Sequence, residues 1–358
     1  MSDLKHPPNP ARSRLGPFEV GRGLPALVIA EAGVNHNGDP ELARRLIDVA
    51  AASGADVVKF QTFTAERVAS VAAPKAAYQR DTTDPGESQL ELLRTLELAG
   101  PTLRELTVYA ASRGIAFAST PFDHEAIDLL VDLGVPFLKV PSGEITNRPF
   151  LEHVGSTGLP VVLSTGMSYL QEVLEAIGAL AGAGAGDLAI LQCVSNYPAA
   201  APDVNLRAMA TLEAATGLPV GFSDHTSGLS IPFAAVALGA CIIEKHFTLD
   251  RRLPGPDHRA SIEPAELEAL VNGIRDVEAS LGDGVKQPVA AEADTRLVAR
   301  RSLAAASAIA PGTVLTSAML DALRPSTGLS PMVIGQVLGR RATRPIAAGQ
   351  LIDWSDLE

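Results

Sequence analysis

The sequence predicts an α/β fold, a (β/α)8 TIM barrel followed by a small β-rich C-terminal domain. Three observations predict it. Short β-branched apolar runs alternate with Ala/Leu-rich amphipathic stretches, and this alternation repeats eight times in about 260 residues. After Leu281 the composition changes to Gly-Asp-Gly and then to polar and charged residues. The chain has 358 residues, of which 46% are hydrophobic and 20% charged. Such a chain buries a large core and exceeds the size of one small domain.

The apolar runs have the length and composition of strands in a parallel sheet that is covered on both faces. They are predicted at residues 27–32, 57–62, 115–119, 137–140, 161–165, 188–193, 220–223 and 241–246. An amphipathic helical pattern follows each strand. The helices are predicted at residues 41–52, 88–112 in two pieces, 125–133, 148–156, 169–183, 205–216, 230–238 and 264–281.

The predicted domain boundaries follow changes in composition along the chain. Residues 1–20 hold prolines and scattered basic residues and predict a flexible tail, residues 21–285 form the barrel, and the polar stretch 286–297 is a linker. In residues 298–358, strand-like pieces at 302–306, 340–343 and 350–352 are separated by Pro-Gly and Ala-Gly turns. About sixty residues form a marginal core, so this domain is expected to dock against another surface.

Charge and cysteine usage restrict the partners and the compartment. The formal net charge of -12 argues against nucleic acid and against an anionic membrane face, because phosphates are bound through excess Lys and Arg. Cys193 and Cys241 both lie in apolar strand-like runs, which is not the pattern of a disulfide framework. The N-terminus lacks an apolar signal-like region, and no run of 18 apolar residues occurs. We therefore expect a cytoplasmic protein.

Polar residues mark the ends of nearly all predicted strands, where the loops of a TIM barrel build an active-site mouth. They are Glu31, Lys59, Gln61, Ser119, Thr120, Lys139, Ser142, Glu144, Ser164, Thr165, Gln192, Ser195, Ser223, Asp224, His225, Glu244, Lys245 and His246. Packing alone does not explain such regular placement. The mouth is therefore predicted to be a reactive site.

Two kinds of chemistry are indicated at this mouth. Lys59 and Lys139, with serines from other strands, would converge on a small phosphorylated or carboxylated anion. The alternative is that both lysines snorkel or pair with Glu31 and Glu144. Paired imidazoles at His225 and His246 favour a divalent transition metal, whereas a single barrel histidine is more often a satisfied core residue.

Two other enzyme classes are disfavoured. Gly33 and Gly38 lack the spacing and helix register of a dinucleotide-binding loop. The consecutive residues 223–225 do not have the spacing of a nucleophile triad, and the chain has no nucleophile elbow. Nicotinamide chemistry and serine hydrolysis are therefore not expected.

Several ordered motifs resemble the bacterial N-acetylneuraminate (sialic acid) synthase family, which includes legionaminic acid synthases. The motifs are residues 30–38 (AEAGVNHNG), 59–63 (KFQTF), 119–123 (STPFD), 141–144 (PSGE), 163–167 (LSTGM), 222–225 (FSDH) and the long run 244–262. The similarity extends from about residue 27 to residue 352. It implies a barrel followed by a SAF (antifreeze-like) domain, in a domain-swapped homodimer whose SAF domain covers the partner's barrel mouth.

The resemblance also implies a role for each matching residue. Phosphoenolpyruvate would be held by Lys59, Lys139, Ser142, Ser164, Ser195 and Ser223. The open-chain N-acetylated mannosamine-type sugar would be held by Gln61, Glu144, Tyr197, Asp257 and, from the other protomer, Arg324. His225 and His246 would bind a divalent metal, with Mn expected and Co or Mg as alternatives. Glu31 would handle the proton of a metal-bound water.

The implied reaction condenses phosphoenolpyruvate with N-acetylmannosamine and water to give a nine-carbon sialic acid and phosphate. This chain departs from the common family pattern at residues 199–202 (AAAP) and at Ser326-Thr327, both near the expected sugar pocket. One alternative is therefore synthesis of another nonulosonic acid, especially N,N'-diacetyllegionaminate from 2,4-diacetamido-2,4,6-trideoxymannose. A non-enzymatic carbohydrate- or ice-binding protein is another, but such a protein would not need Glu31 and paired Lys and His at strand ends.

Overall fold

The computed structural model of the protein describes residues 11–84 and 86–358. It forms two units, Met1–Gly282 and Asp283–Glu358. None of the helices within the described residues combines the length and apolarity that a membrane span requires.

The described chain begins with a β-hairpin, which corrects the predicted flexible tail over residues 11–20; residues 1–10 lie outside the described residues. The hairpin strands β1 (Arg12–Leu15) and β2 (Phe18–Gly21) pair antiparallel. Leu15 and Val20 are fully buried, in one cluster with apolar side chains of the barrel strands. Ser13 Oγ donates to the Leu188 carbonyl at 2.6 Å. The sequence did not show this role because four-residue strands carry too little periodicity.

A sheet of eight parallel strands forms the first unit, in the order β5-β4-β3-β10-β9-β8-β7-β6. The strands are β3 Leu27–Gly33, β4 Val57–Thr62, β5 Ala116–Pro121, β6 Leu138–Val140, β7 Val161–Ser164, β8 Leu188–Cys193, β9 Val220–Asp224 and β10 Ile242–His246. The end strands β5 and β6 pack against each other, which closes the sheet into a barrel. All eight predicted strands are confirmed, with small shifts at their ends.

Helices follow the strands and bury an apolar face against the sheet. They are α1 Pro40–Ala52, α2 Ala65–Val68, α3 Ala77–Thr82, α4 Gln89–Leu96, α5 Gly100–Ser112, α6 His124–Asp132, α7 Arg148–Ser156, α8 Leu170–Ala183, α9 Ala208–Thr216, α10 Ser230–Ala237 and α11 Pro264–Leu281. The predicted helices are confirmed, and the stretch 88–112 is indeed two helices, α4 and α5. The short helices α2 and α3 were not predicted, because four and six residues are too few to show a helical repeat.

The second unit begins with α12 (Ala293–Ala299), so part of the predicted linker is helical. It continues with β11 (Ser302–Ala305), β12 (Leu320–Leu323) and α13 (Ile334–Val337), and β11 pairs antiparallel with β12. The predicted strand at 302–306 is confirmed, whereas residues 340–343 and 350–352 contribute isolated bridges. Ten buried apolar residues form the unit's own core.

Candidate active site

A cavity of about 380 Å³ lies at the carboxyl ends of the barrel strands. Twelve of the predicted site residues line it, namely Glu31, Lys59, Gln61, Lys139, Ser142, Ser164, Ser195, Tyr197, Ser223, His225, His246 and Asp257. The parallel register explains this convergence, because strands that run together place their carboxyl ends at one rim. The expected mouth is thus a physical cavity of a size that suits small-molecule ligands.

Strand register places Glu31 between a lysine and a histidine. Glu31 lies opposite Lys59 of β4 and opposite His246 of β10. Its carboxylate pairs with Lys59 Nζ, and its Oε1 accepts from Gln61 Nε2 at 3.4 Å. The β3–β4 register shifts between Glu31 and Gly33, and Gly33 adopts φ +53°. Such irregularities redirect side chains next to active sites, and here the glycine leaves room for the Glu31 carboxylate and the His246 ring.

Glu244 connects the two buried lysines, a role that the sequence did not reveal. Its Oε2 lies 3.6 Å from Lys59 Nζ, and its Oε1 lies 3.5 Å from Lys139 Nζ and accepts from Ser223 Oγ at 2.8 Å. Glu244 had appeared among the polar strand ends, but the alternative considered for the two lysines was pairing with Glu31 and Glu144, of which the Glu31 pair with Lys59 is present. The spacing of one strand cannot show which carboxylate faces a lysine of another strand. Only the barrel closure brings β4, β6 and β10 to one centre.

Hydroxyl groups surround Lys139 and form a compact cradle for an anion. Lys139 Nζ donates to Ser164 Oγ at 2.6 Å, and the Gly166 amide donates to Ser142 Oγ at 2.9 Å. A Cβ on Gly166 would lie 2.8 Å from Ser142 Oγ and closer still to Ser195 Oγ. Only glycine at this position leaves the cradle open, which shows that the serine hydroxyls face a common space.

The two predicted metal ligands lie side by side. The imidazole centroids of His225 and His246 are 5.4 Å apart, and the Tyr197 ring packs 4.1 Å from the His225 ring. His225 Nδ1 lies 2.8 Å from the Val194 carbonyl, which fixes the Nδ1–H tautomer and leaves a lone pair on Nε2. His246 Nδ1 is buried without a hydrogen-bond partner in the described structure.

This donor set fits a divalent transition metal. Each ring offers a nitrogen lone pair, as metal ligation requires. Within residues 11–84 and 86–358, no group of three or more His, Cys, Asp or Glu side chains is arranged to hold a metal ion. A metal held by these two imidazoles would take its other ligands from oxygen atoms of water or substrate. Such a site keeps coordination positions open for substrate.

Burial and neighbouring charges shift the pKa values of the two central carboxylates, Glu31 and Glu244, in opposite directions. Burial raises the pKa of Glu31 to about 7, because Lys59 only partly offsets the loss of solvation. Burial acts in the same direction on Glu244, but Lys139 and Lys59 outweigh it and lower the pKa of that carboxyl. Burial and the adjacent His225 hold the pKa of His246 well below its usual value. The site thus favours the charged form of Glu244, the protonated form of Glu31 more than in water, and the neutral form of His246.

The remaining predicted sugar residues occupy different surroundings. Burial raises the pKa of Asp257 to about 6, and this residue lines the cavity, as Tyr197 does. Glu144 is missing from the described residues that line the cavity, and its Oε2 accepts from Asn147 Nδ2 at 2.6 Å. Arg324 is an exposed residue of the second unit, directly after β12. Tyr197 and Asp257 therefore line the cavity, whereas Glu144 does not.

A buried ion pair lies behind the histidines. Lys245 Nζ donates to Asp224 Oδ2 at 2.6 Å and to the Thr226 carbonyl at 2.7 Å. Lys245→Met is expected to destabilise the fold by about 3–5 kcal/mol, because Asp224 would remain charged and buried without its partner. Urea unfolding would measure this loss. The double variant Asp224→Asn with Lys245→Met should recover part of it, and a double variant less stable than the single one would contradict this explanation.

Comparison with known proteins identifies the family. A model of the NeuB family matches residues 46–286, and a SAF domain model matches residues 300–358. The chain belongs to the NeuB family. It is therefore a phosphoenolpyruvate-dependent synthase that forms a C–C bond with an amino sugar, as the sequence resemblance implied.

Individual relatives match over nearly the whole chain. The chain is 46% identical over 342 residues to N,N'-diacetyllegionaminic acid synthase of Legionella pneumophila, covering 94% of this chain and 96% of the relative. It is 47% identical over 328 residues to the Campylobacter jejuni protein of the same name, covering 91% and 98%. The crystal structure of N-acetylneuraminic acid (sialic acid) synthetase from Leptospira borgpetersenii in complex with citrate matches with a TM-score of 0.70 and 36% identity, covering 80% of this chain and 95% of that one.

Proposed function

We propose that this NeuB-family enzyme is an N,N'-diacetyllegionaminate synthase, which condenses phosphoenolpyruvate with 2,4-diacetamido-2,4,6-trideoxymannose and water. The observation that carries this choice of sugar is the 46% and 47% identity to two relatives of that name, against 36% to the N-acetylneuraminic acid synthetase. The sequence analysis favoured N-acetylmannosamine and kept the diacetamido sugar as its alternative. The similarities favour that alternative.

Phosphoenolpyruvate would occupy the cationic, hydroxyl-rich half of the cavity. Lys59 and Lys139 supply two buried positive charges, and Ser142, Ser164, Ser195 and Ser223 supply hydroxyl groups. Charged donors in a partly dehydrated site bind phosphate and carboxylate oxygens strongly. Glu244 would hold the two ammonium groups in place and offset the repulsion between them, since its carboxylate lies close to both.

His225 and His246 would hold the divalent metal, with Mn expected and Co or Mg as alternatives. When bound, the metal would supply Lewis acidity at the aldehyde oxygen of the open-chain sugar. Gln61, Tyr197 and Asp257 line the same cavity and would bind the sugar. In this proposal Glu144 reaches the sugar after a local rearrangement, and Arg324 is supplied by the second protomer.

The chain's own groups account for the proton and phosphate steps. The methylene carbon C3 of phosphoenolpyruvate attacks the sugar aldehyde and forms the new C–C bond. The aldehyde C=O becomes a hydroxyl group once it takes up a proton, and positive charge is left at C2, the carbon that carries the phosphate. Water adds to that carbon while Glu31 accepts its proton, a role that suits a carboxylate with a pKa of about 7. The C–O bond to the phosphate then breaks, and the lysines and serines stabilise the departing oxyanion.

Phosphate release from phosphoenolpyruvate with a panel of sugars tests the proposed specificity. The panel comprises 2,4-diacetamido-2,4,6-trideoxymannose, N-acetylmannosamine and its 6-phosphate. The first sugar is expected to give a kcat/KM at least about tenfold above the others, the discrimination that a few substrate contacts provide. A preference for N-acetylmannosamine would refute the proposed sugar while leaving the reaction type intact.

We further propose that the enzyme acts in the cytoplasm as a domain-swapped homodimer. Its two cysteines, Cys193 and Cys241, are free and buried, in keeping with a reducing compartment. The SAF unit has a small core, which supports docking on a second surface. In this arrangement Arg324 of each SAF domain would serve the barrel of the other protomer.

Mixing two inactive variants would test the dimer. One variant carries Lys139→Ala in the barrel and the other carries Arg324→Ala in the SAF domain. After subunit exchange, one active-site mouth of each mixed dimer would combine an intact barrel with an intact SAF domain. Activity should therefore return towards about a quarter of wild type. Demonstrated subunit exchange without recovery of activity would show that each SAF domain completes the barrel of its own protomer.

A further inference from the structure

Apolar residues that the reaction chemistry does not use also line the active-site cavity. Six of them are here called the apolar wall. They are Val34, Phe63, Val68, Leu93, Leu96 and Phe122. Val34, Phe63 and Phe122 directly follow β3, β4 and β5, and the other three lie on the helices α2 and α4 between β4 and α5.

Packing makes the apolar wall a built surface. Val34, Phe63 and Leu96 are buried in one cluster, against which Leu93 and Phe122 pack. The rings of Phe63 and Phe122 meet edge to face with centroids 6.2 Å apart. Val68 is still 38% exposed and Leu93 is half-buried. Leu93 therefore offers a ligand apolar surface on a packed support, and Val68 adds exposed apolar surface to the same cavity lining.

The substrates differ in what they could present to this wall. Phosphoenolpyruvate is small and highly charged, so it matches the lysines and serines. N-acetylmannosamine carries a hydroxyl at C4 and a second hydroxyl at C6. The 2,4-diacetamido-6-deoxy sugar has an acetamido group and a methyl in those places, which adds two methyl groups that gain free energy from burial.

We propose that the apolar wall determines sugar specificity by receiving the C4 acetamido methyl and the C6 methyl of the acceptor. This inference rests on the proposed function, because it assigns a subsite to the sugar proposed there. Val68 and Leu93 are the specificity-determining residues. They act on sugar choice and have no part in phosphoenolpyruvate binding or proton transfer.

Val68→Thr tests the wall with little change of shape, because it replaces one methyl by a hydroxyl. Val71→Thr is the matched control, since Val71 lies in the same segment, is 84% exposed and is not among the described residues that line the cavity. Steady-state kinetics with both sugars would give kcat/KM for each and the KM for phosphoenolpyruvate. Leu93→Gln provides a second, stronger perturbation.

Val68→Thr is expected to lower the preference for the diacetamido sugar over N-acetylmannosamine by about fivefold to tenfold, the scale of one or two apolar contacts. Leu93→Gln should lower it further, and Val71→Thr should leave it unchanged. The KM for phosphoenolpyruvate should not move. An unchanged preference in both wall variants, or equal losses with both sugars, would overturn the inference. A wild-type enzyme that does not use the diacetamido sugar would instead refute the proposed function.

Discussion

Replacing Glu31 with Gln is expected to lower turnover by about a hundredfold or more, the usual scale for loss of a general base. Gln keeps the size of the side chain and much of its hydrogen bonding, but it cannot accept the proton of the attacking water. Metal content and the KM for both substrates should change little. Steady-state phosphate release and metal analysis of the purified variant would measure these quantities.

Glu152→Gln is the matched control, because Glu152 is an exposed carboxylate on α7 that pairs with Arg148. It should keep wild-type turnover. The assignment of Glu31 to proton transfer would be wrong if Glu31→Gln lost its metal, because the carboxylate would then be a ligand.

The pH dependence of turnover should report the same carboxylate. Since burial raises the pKa of Glu31 to about 7, the base is protonated and inactive below that pH and becomes charged and active above it. Turnover of the wild type is therefore expected to rise as the pH passes through about 7. The residual activity of Glu31→Gln should lack this rise, and a rise of unchanged size would assign it to another group.

Removing either histidine of the pair is expected to lower turnover by about a thousandfold or more, because the Lewis acid contributes several kcal/mol and each 1.36 kcal/mol is tenfold. Treatment with a chelator should abolish activity in the wild type, and Mn or Co should restore it. Calorimetric titration of Mn into His225→Ala and His246→Ala should show weakened binding, with the fold retained by circular dichroism.

His124→Ala is the matched control, because His124 lies on α6 and stacks on His153 outside the described lining of the cavity. It should bind Mn as the wild type does and keep its turnover. Full activity in a metal-stripped wild-type sample would contradict the metal assignment.

The sequence predicted the barrel well because its strands are continuous apolar runs that end in polar residues. Each of those runs became one of the eight parallel strands, and most of the polar ends meet in one cavity. The fold itself supplies this link, since parallel strands share a rim. The sequence alone therefore places Lys59, Lys139 and the histidine pair at the same barrel mouth.

The features that the sequence did not predict depend on contacts between distant segments. The N-terminal hairpin is short, and it contributes to the core through Leu15 and Val20, which pack against apolar side chains of the barrel strands. Glu244 was visible as a strand-end carboxylate, but its bridging of Lys59 and Lys139 requires strands from three places in the chain. The apolar wall joins residues that follow three strands with residues of the helices α2 and α4, so no local pattern reveals it.

The most direct test of the proposed condensation is phosphate release in ¹⁸O-labelled water, with phosphoenolpyruvate and the diacetamido sugar as substrates. The proposed mechanism breaks the C–O bond, so the phosphate keeps the bridging oxygen of phosphoenolpyruvate. Mass spectrometry should find phosphate that is formed only when the sugar is present and that contains no ¹⁸O from the solvent. Sugar-independent release, or phosphate that carries one solvent ¹⁸O, would mean simple hydrolysis at phosphorus and would contradict the proposed function.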